Sequence, residues 1–96
     1  MGATVVVYTT EVCPYCVRAK ALLKSKQAPY EEIRVDDRPD LRAWLVLKTH
    51  QRTVPQVFAN GESLGGFSDL AELDRAGRLD PILSRPGRAD DPPMPR

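Results

Sequence analysis

Cys13 and Cys16 are the residues of this sequence whose side chains are best suited to chemistry. They are the only two cysteines among 96 residues, and Pro14 and Tyr15 separate them. A thiolate attacks sulfur and also binds metals. A close pair of thiols can therefore exchange disulfides, close a small disulfide ring or supply half of a metal site.

The position of the pair favours a reactive first thiol. If a helix begins here, Cys13 lies at its N-terminal edge, where unpartnered backbone N–H groups and the helix dipole stabilise an anion. Pro14 suits the first turn, because it has no N–H and its φ is already set. We therefore expect Cys13 to lose its proton more easily than a free thiol and to act as the nucleophile, with Cys16 completing a disulfide.

Two other interpretations of the pair stay open. The first is a structural disulfide or two ordinary buried thiols, although so short a ring constrains the unfolded chain little. The second is half of a zinc site, in which His50 would be a third ligand and a carboxylate would have to be the fourth. Redox chemistry is the usual interpretation of such a pair at a strand–helix junction, and we favour it.

Composition narrows the function classes. The chain is 42% apolar and 28% charged with a net charge of +1, which argues against nucleic acid or a membrane as an electrostatic partner. The N-terminus has no signal-peptide pattern, and no apolar run is long enough to span a membrane. Two cysteines are too few for a secreted disulfide scaffold, so we expect a reducing cytoplasm.

The hydrophobic pattern predicts an α/β protein. A continuous β-branched run over residues 4–9 predicts a strand buried on both sides, and the following helix should place Cys16 on its inward stripe and Cys13 at its rim. Asn60-Gly61 is a hairpin signal. The predicted order is strand 4–9, helix 14–26, strand 30–35, a helix from Pro39, strands 56–59 and 62–65, a helix capped by Ser68 or Asp69 and ended by Gly77, and a short turn or helix at 79–83.

This order predicts a four-stranded mixed sheet flanked by helices on both faces. The first strand–helix–strand unit implies a parallel pair with a right-handed crossover. In the second helix Trp44 is expected to pack in the core rather than contact a partner, and Val46 and Leu47 widen the apolar arc, which suggests burial on more than one side. Residues 1–84 should form one domain. Residues 85–96 contain four prolines and little to bury, so we expect a disordered C-terminal tail.

Three motifs, in this order and spacing, resemble those of the glutaredoxins, which have a thioredoxin-like fold. They are Tyr8-Thr9 with Cys13-Pro14-Tyr15-Cys16, then Gln51-Arg52-Thr53-Val54-Pro55, then Gly65-Gly66-Phe67-Ser68-Asp69-Leu70. The resemblance covers about residues 4–84. It implies an enzyme, a glutathione-dependent thiol–disulfide oxidoreductase of cell redox homeostasis, that reduces protein disulfides and protein–glutathione mixed disulfides.

The resemblance also implies roles for individual residues. Cys13 attacks the substrate sulfur, and Cys16 resolves the covalent intermediate with a protein disulfide. Pro55 follows a cis peptide bond. Glutathione is a co-substrate, and no metal or organic cofactor is required. The implied glutathione-binding residues are Tyr15, Gln51, Thr53, Val54, Pro55, Gly66, Ser68 and Asp69, with Asp69 and the helix N-terminus suited to the γ-glutamyl end.

One departure and one alternative accompany the resemblance. Many members carry a basic residue where this chain has Thr10, so glutathione is expected to bind less tightly unless Lys48 or Arg52 compensates. The alternative function is an iron–sulfur cluster carrier, in which two chains share a cluster through their first cysteines and two glutathiones. Otherwise we expect a monomer whose partners are glutathione and disulfide-bearing or glutathionylated proteins.

Overall fold

A computed structural model of the chain describes residues 2–96. Eight elements follow one another along these residues. They are β1 (Val5–Thr9), α1 (Pro14–Ser25), β2 (Tyr30–Arg34), α2 (Pro39–Thr49), β3 (Gln56–Ala59), β4 (Glu62–Gly65), α3 (Phe67–Arg75) and α4 (Leu79–Ser84). This order confirms the predicted α/β arrangement, with a short helix as its last element.

The four strands form one mixed sheet in the order β2-β1-β3-β4. β1 runs parallel to β2 and antiparallel to β3, and β3 and β4 form an antiparallel hairpin. Asn60 and Gly61 make the hairpin turn with φ of 52° and 80°, the left-handed conformation that this dipeptide adopts readily. All five residues of β1 are buried, as expected for a central strand with both faces covered.

Helices cover both faces of the sheet, as predicted. Val5 and Val7 of β1 face a core that includes Ala19 and Leu23 of α1, Leu70 of α3, and α4. The alternate residues of β1, Val6 and Tyr8, face a second and smaller core. Side chains alternate across a strand, so β1 supplies both cores.

The second core lies under α2 and contains an aromatic cluster. Leu41 and Leu45 are its buried helical residues, and the Trp44 ring lies 5.7 Å from Tyr8 and 5.5 Å from Phe58 between ring centroids. The expectation that Trp44 packs in the core is confirmed. The expected burial of Leu47 is wrong, because its side chain is 75% exposed on the far side of the helix.

The C-terminal segment differs from the expectation of a disordered tail. Residues 85–96 form no helix or strand, but their end lies on the second core. Met94 packs against that core, and the buried Tyr8 hydroxyl donates a hydrogen bond to the Pro95 carbonyl at 2.8 Å. Arg96 pairs with Glu31 of β2. A half-buried methionine gains apolar contact here that the composition of the segment does not reveal.

Within residues 2–96, no helix is both long and apolar enough to cross a bilayer.

Candidate active site

Cys13, the predicted nucleophile, lies between the end of β1 and the start of α1. Cys13 has extended backbone angles (φ −152°, ψ 98°) and is the N-cap of α1, and Pro14 begins the helix. The Cys16 backbone N–H donates to Cys13 Sγ at 3.1 Å, so the sulfur acts as the capping acceptor. This is the predicted placement: a free main-chain donor of the first turn points at the sulfur and stabilises negative charge on it.

The two thiols differ in accessibility, as predicted. Both are free, Cys13 is partly exposed, and Cys16 is buried. Burial, with the hydrogen bond to Cys13, raises the pKa of Cys16 to about 12. Cys13 is therefore the thiol that a substrate can reach, while Cys16 is a protonated thiol held three residues behind it.

A network of charges fixes the turn that precedes Cys13. The Glu11 backbone N–H donates to Asp36 Oδ2 at 2.8 Å, and Arg34 bridges Asp36 and the Glu11 side chain at 2.7 and 3.1 Å. The hydrogen bond from Arg34 lowers the pKa of Asp36 to about 2. Residues 10–12 are thereby tied to the end of β2, which sets the direction in which the chain enters α1.

A cleft of about 460 Å³ opens beside Cys13. All eight residues that the resemblance implied for glutathione line it, together with Phe67. Cys13 adjoins the cleft through Val54, because its thiol donates to the Val54 carbonyl at 3.7 Å. The Val54–Pro55 peptide bond is cis, which confirms that expectation. The structure thus brings three separate motifs to one surface.

Two residues of the cleft are held by a buried side chain that lies outside the three motifs. Gln56 is fully buried, and its amide group donates to Gln51 Oε1 at 2.8 Å and to the Thr53 carbonyl at 3.0 Å. Gln51 accepts through its oxygen, so its own NH₂ group is left to donate to a ligand. A lone glutamine in an apolar strand pattern was the only signal of this role.

The far side of the cleft is the start of α3. The N-cap is Gly66, not Ser68 or Asp69 as expected, and Asp69 lies in the first turn, where its Oδ2 accepts the Gly66 N–H at 3.0 Å. Gly65 has φ of 86° and lies so close to the Asp69 carboxylate that a Cβ would collide with it. Ser68 and Asp69 are exposed at the cleft.

Aromatic side chains form the rim. Tyr15 is 57% exposed and lies 6.2 Å from the Phe67 ring, and Arg18 lies over Tyr15 at 5.6 Å from its centroid. Phe67 belongs to the third motif, Gly65-Gly66-Phe67-Ser68-Asp69-Leu70, but had no predicted role. Arg52 lines a neighbouring groove along α2, which shares Gln51, Thr53 and Val54 with the cleft. His50 is exposed at the end of α2. No group of three or more His, Cys, Asp or Glu side chains within residues 2–96 is arranged as a metal site.

Comparison with known proteins shows which family the chain belongs to. A family model described as "Glutaredoxin" matches residues 5–64. The chain belongs to the glutaredoxin family. The family's chemistry makes it a thiol–disulfide oxidoreductase.

Curated relatives match almost over their full length. A glutaredoxin of Pseudomonas aeruginosa is 50% identical over 80 residues, covering 83% of this chain and 95% of that protein. Glutaredoxin 3 of Escherichia coli K12 is 44% identical over 81 residues, covering 84% of this chain and 98% of that protein. The glutaredoxin domain therefore accounts for most of the chain.

Solved structures show the same thioredoxin-like fold. A solution structure of a glutaredoxin from Brucella melitensis has a TM-score of 0.79 at 41% identity, covering 86% of this chain and 90% of that one. A crystal structure of a buckwheat glutaredoxin–glutathione complex has a TM-score of 0.79 at 38% identity, covering 84% of this chain and 76% of that one.

Proposed function

We propose that this glutaredoxin uses glutathione to reduce protein disulfides and protein–glutathione mixed disulfides. The observation that carries the proposal is the cleft beside Cys13, which brings together donors and one carboxylate from three parts of the chain. Glutathione has two carboxylates and one ammonium group, and the cleft offers complementary groups at both of its ends. The glutathione complex of the buckwheat relative supports this choice of ligand.

Each end of the cleft suits one end of glutathione. The N–H groups of the first turn of α3 have no acceptor within the helix and suit the γ-glutamyl carboxylate, while the Asp69 carboxylate suits its ammonium group. At the other end the free amide donors of Gln51 suit the glycine carboxylate. Between them, the Val54 carbonyl becomes available once the Cys13 thiol loses its proton.

The sulfurs then react in sequence. The Cys13 thiolate attacks a sulfur of the substrate disulfide and releases the other sulfur as a thiolate. When the bound sulfur belongs to glutathione, a second glutathione attacks it and restores Cys13. When it belongs to a protein, Cys16 attacks Cys13, releases the protein thiol and leaves a Cys13–Cys16 disulfide, which two glutathiones reduce. The chain's own residues need no metal or organic cofactor for these steps. Because these steps consume reduced glutathione, the protein would act in a compartment where glutathione is kept reduced, such as the cytoplasm.

A coupled assay tests the proposal. Glutathione, glutathione reductase and a small glutathione mixed disulfide are combined with the full chain, and NADPH consumption is followed. We expect turnover that saturates in glutathione and is lost in Cys13→Ser. A parallel assay in which thioredoxin reductase replaces the glutathione system should give none. Turnover by Cys13→Ser, or turnover driven equally well by thioredoxin reductase, would contradict the proposal.

A further inference from the structure

A cluster of polar groups lies along α1 behind the buried thiol, and the chemistry of Cys13 does not use it. The Lys20 ammonium pairs with Glu32 Oε2 at 3.0 Å, and the Thr9 hydroxyl donates to the same oxygen at 2.7 Å. Thr9 is fully buried at the end of β1, and Glu32 belongs to the neighbouring strand β2. The cluster thus connects the sheet to the helix that carries both cysteines.

Lys20 lies on the same side of α1 as Cys16. The two residues are four positions apart in one helix, a spacing that places side chains next to each other. Lys20 is only partly exposed, unlike Lys24 one turn further on, which is exposed and has no ion pair within residues 2–96. Glu32 holds Lys20 at this place, and the hydrogen bond between them raises the pKa of Lys20. The Lys20 ammonium is therefore held one helical turn from Cys16, and the Glu32 carboxylate beside it offsets part of its charge.

Cys16 needs such a charge. To resolve a mixed disulfide with a protein, it must become a thiolate, yet burial opposes its ionisation. The groups that favour the thiolate are the Thr10 backbone N–H and Lys20, whereas Cys13 opposes it. Around Lys20 itself, Glu32 and Tyr30 of β2 are the other titratable groups. Within residues 2–96, Lys20 is thus the cationic side chain that favours the Cys16 thiolate.

We propose that the Lys20 ammonium, held by Glu32 and Thr9, stabilises the Cys16 thiolate during resolution of protein mixed disulfides. The inference rests on the proposed function, because only the protein disulfide, which is the oxidant, requires Cys16. In this step Cys16 gives its proton to solvent and its sulfur bonds to Cys13. The bond between Cys13 and the substrate sulfur breaks, and that sulfur leaves with the electron pair and takes a proton from solvent. Glu32 and Thr9 act as positioning residues.

The size of the effect follows from the balance between ionisation and nucleophilicity. If removing the charge raises the pKa of Cys16 by about one unit, the thiolate fraction falls about tenfold at neutral pH. The more basic thiolate is about threefold more nucleophilic, since reactivity rises with roughly the 0.4–0.5 power of basicity. The net loss in the rate of resolution is therefore about threefold.

Lys20→Met in the full chain tests the inference with three measurements. Reduction of insulin disulfides should slow about threefold. Turnover of the small glutathione mixed disulfide, which needs Cys13 alone, should not change. In a Cys13→Ser background, the rate at which iodoacetamide alkylates Cys16 at neutral pH should fall about threefold when Lys20 is replaced. This last measurement needs no glutathione, so it judges Lys20 even if the proposed function fails.

Two matched variants complete the design. Lys20→Arg keeps the charge and should restore both the insulin rate and the alkylation rate, which recovery of packing alone would not do. Lys24→Met removes an exposed lysine of the same helix and should change neither. An unchanged alkylation rate in Lys20→Met, equal slowing of both reduction assays, or failure of Lys20→Arg to restore the alkylation rate would overturn the inference.

Discussion

Removal of residues 92–96 should destabilise the protein, because these last five residues close the second core. On the favourable side, half-burial of Met94 contributes about 1 kcal/mol and half-burial of Pro95 somewhat less. The hydrogen bond from the Tyr8 hydroxyl to the Pro95 carbonyl adds about 1 kcal/mol. Arg96 and Glu31 pair in solvent, where screening and side-chain entropy offset most of their attraction. The contacts therefore gain about 2–3 kcal/mol.

Conformational entropy opposes this gain. Ordering residues 92–96 costs about 1 kcal/mol each for an ordinary backbone. Three of the five are prolines, at positions 92, 93 and 95, and each reduces that cost by up to about 1 kcal/mol because its φ is fixed in the unfolded chain as well. The net contribution is at most about 1 kcal/mol, which corresponds to a fall in Tm of up to about 4–8 °C for a domain of this size.

Urea unfolding followed by Trp44 fluorescence measures the effect directly. Trp44 is the only tryptophan, and its ring contacts Tyr8 and Phe58 in the core that the tail covers. The truncated chain should unfold at a lower urea concentration. A Tyr8→Phe substitution should cost about 1 kcal/mol in the full chain and almost nothing in the truncated one, because the hydroxyl then has no protein partner to lose.

Tyr30→Phe is the matched control. Tyr30 packs against the first core, and its hydroxyl makes no hydrogen bond within residues 2–96. Its cost should be the same with and without the tail. If truncation leaves the midpoint unchanged and Tyr8→Phe costs the same in both chains, the tail does not lie on the core in solution, and the entropy estimate above is too small.

Three further predictions concern the site. Cys16→Ser should spare turnover of a glutathione mixed disulfide and impair reduction of insulin, measured side by side; equal loss of both would contradict the division of roles between Cys13 and Cys16. Asp69→Asn keeps an acceptor for the Gly66 N–H but removes the charge, so the KM for glutathione should rise about tenfold with little change in kcat and in Tm. Finally, the free energy of unfolding should fall between pH 9 and 12. The unfolded chain releases the protons of Cys16 and Tyr8 near pH 9 and 10, whereas burial raises the pKa of each to about 12 in the folded protein. Urea titrations across this range should show a shallower fall in Cys16→Ser; a stability that rises with pH would be inconsistent with burial of both groups.

Much of the fold could be predicted because its signals are local. The β-branched run of β1, the Pro14 that begins α1 and the Asn60-Gly61 turn each determine backbone conformation from neighbouring residues alone. The boundaries of these elements agree with the structure to within one residue. The predicted N-cap of α3 was two or three residues too late. Gly66 has no capping side chain that a sequence pattern could identify, and the carboxylate that accepts its N–H comes from Asp69, inside the helix.

The sequence predicted which residues line the cleft, but not the contacts that hold them in place. Residues 51–55 and 66–69 belong to motifs, but the contact that orients Gln51 comes from Gln56, whose neighbours in the sequence form an ordinary buried strand. Lys20 is a similar case. Helical periodicity places it one turn after Cys16, yet its partner Glu32 belongs to another element. Such contacts depend on the register between elements, which short-range patterns do not determine.

Leu47 and Met94 show why the second core was the least predictable part of the molecule. Both are apolar residues. The prediction buried Leu47 and left Met94 in solvent, whereas in the structure Leu47 is exposed and Met94 is partly buried. Whether the tail can pack depends on how much of the sheet face beside Tyr8 is left uncovered by α2. The sequence of α2 does not indicate that area. Because the buried Tyr8 hydroxyl needs an acceptor and the tail supplies the Pro95 carbonyl, the polar contact and the apolar contact fix the same segment. The truncation experiment therefore also tests whether a proline-rich segment can be ordered by contacts that contribute so little net free energy.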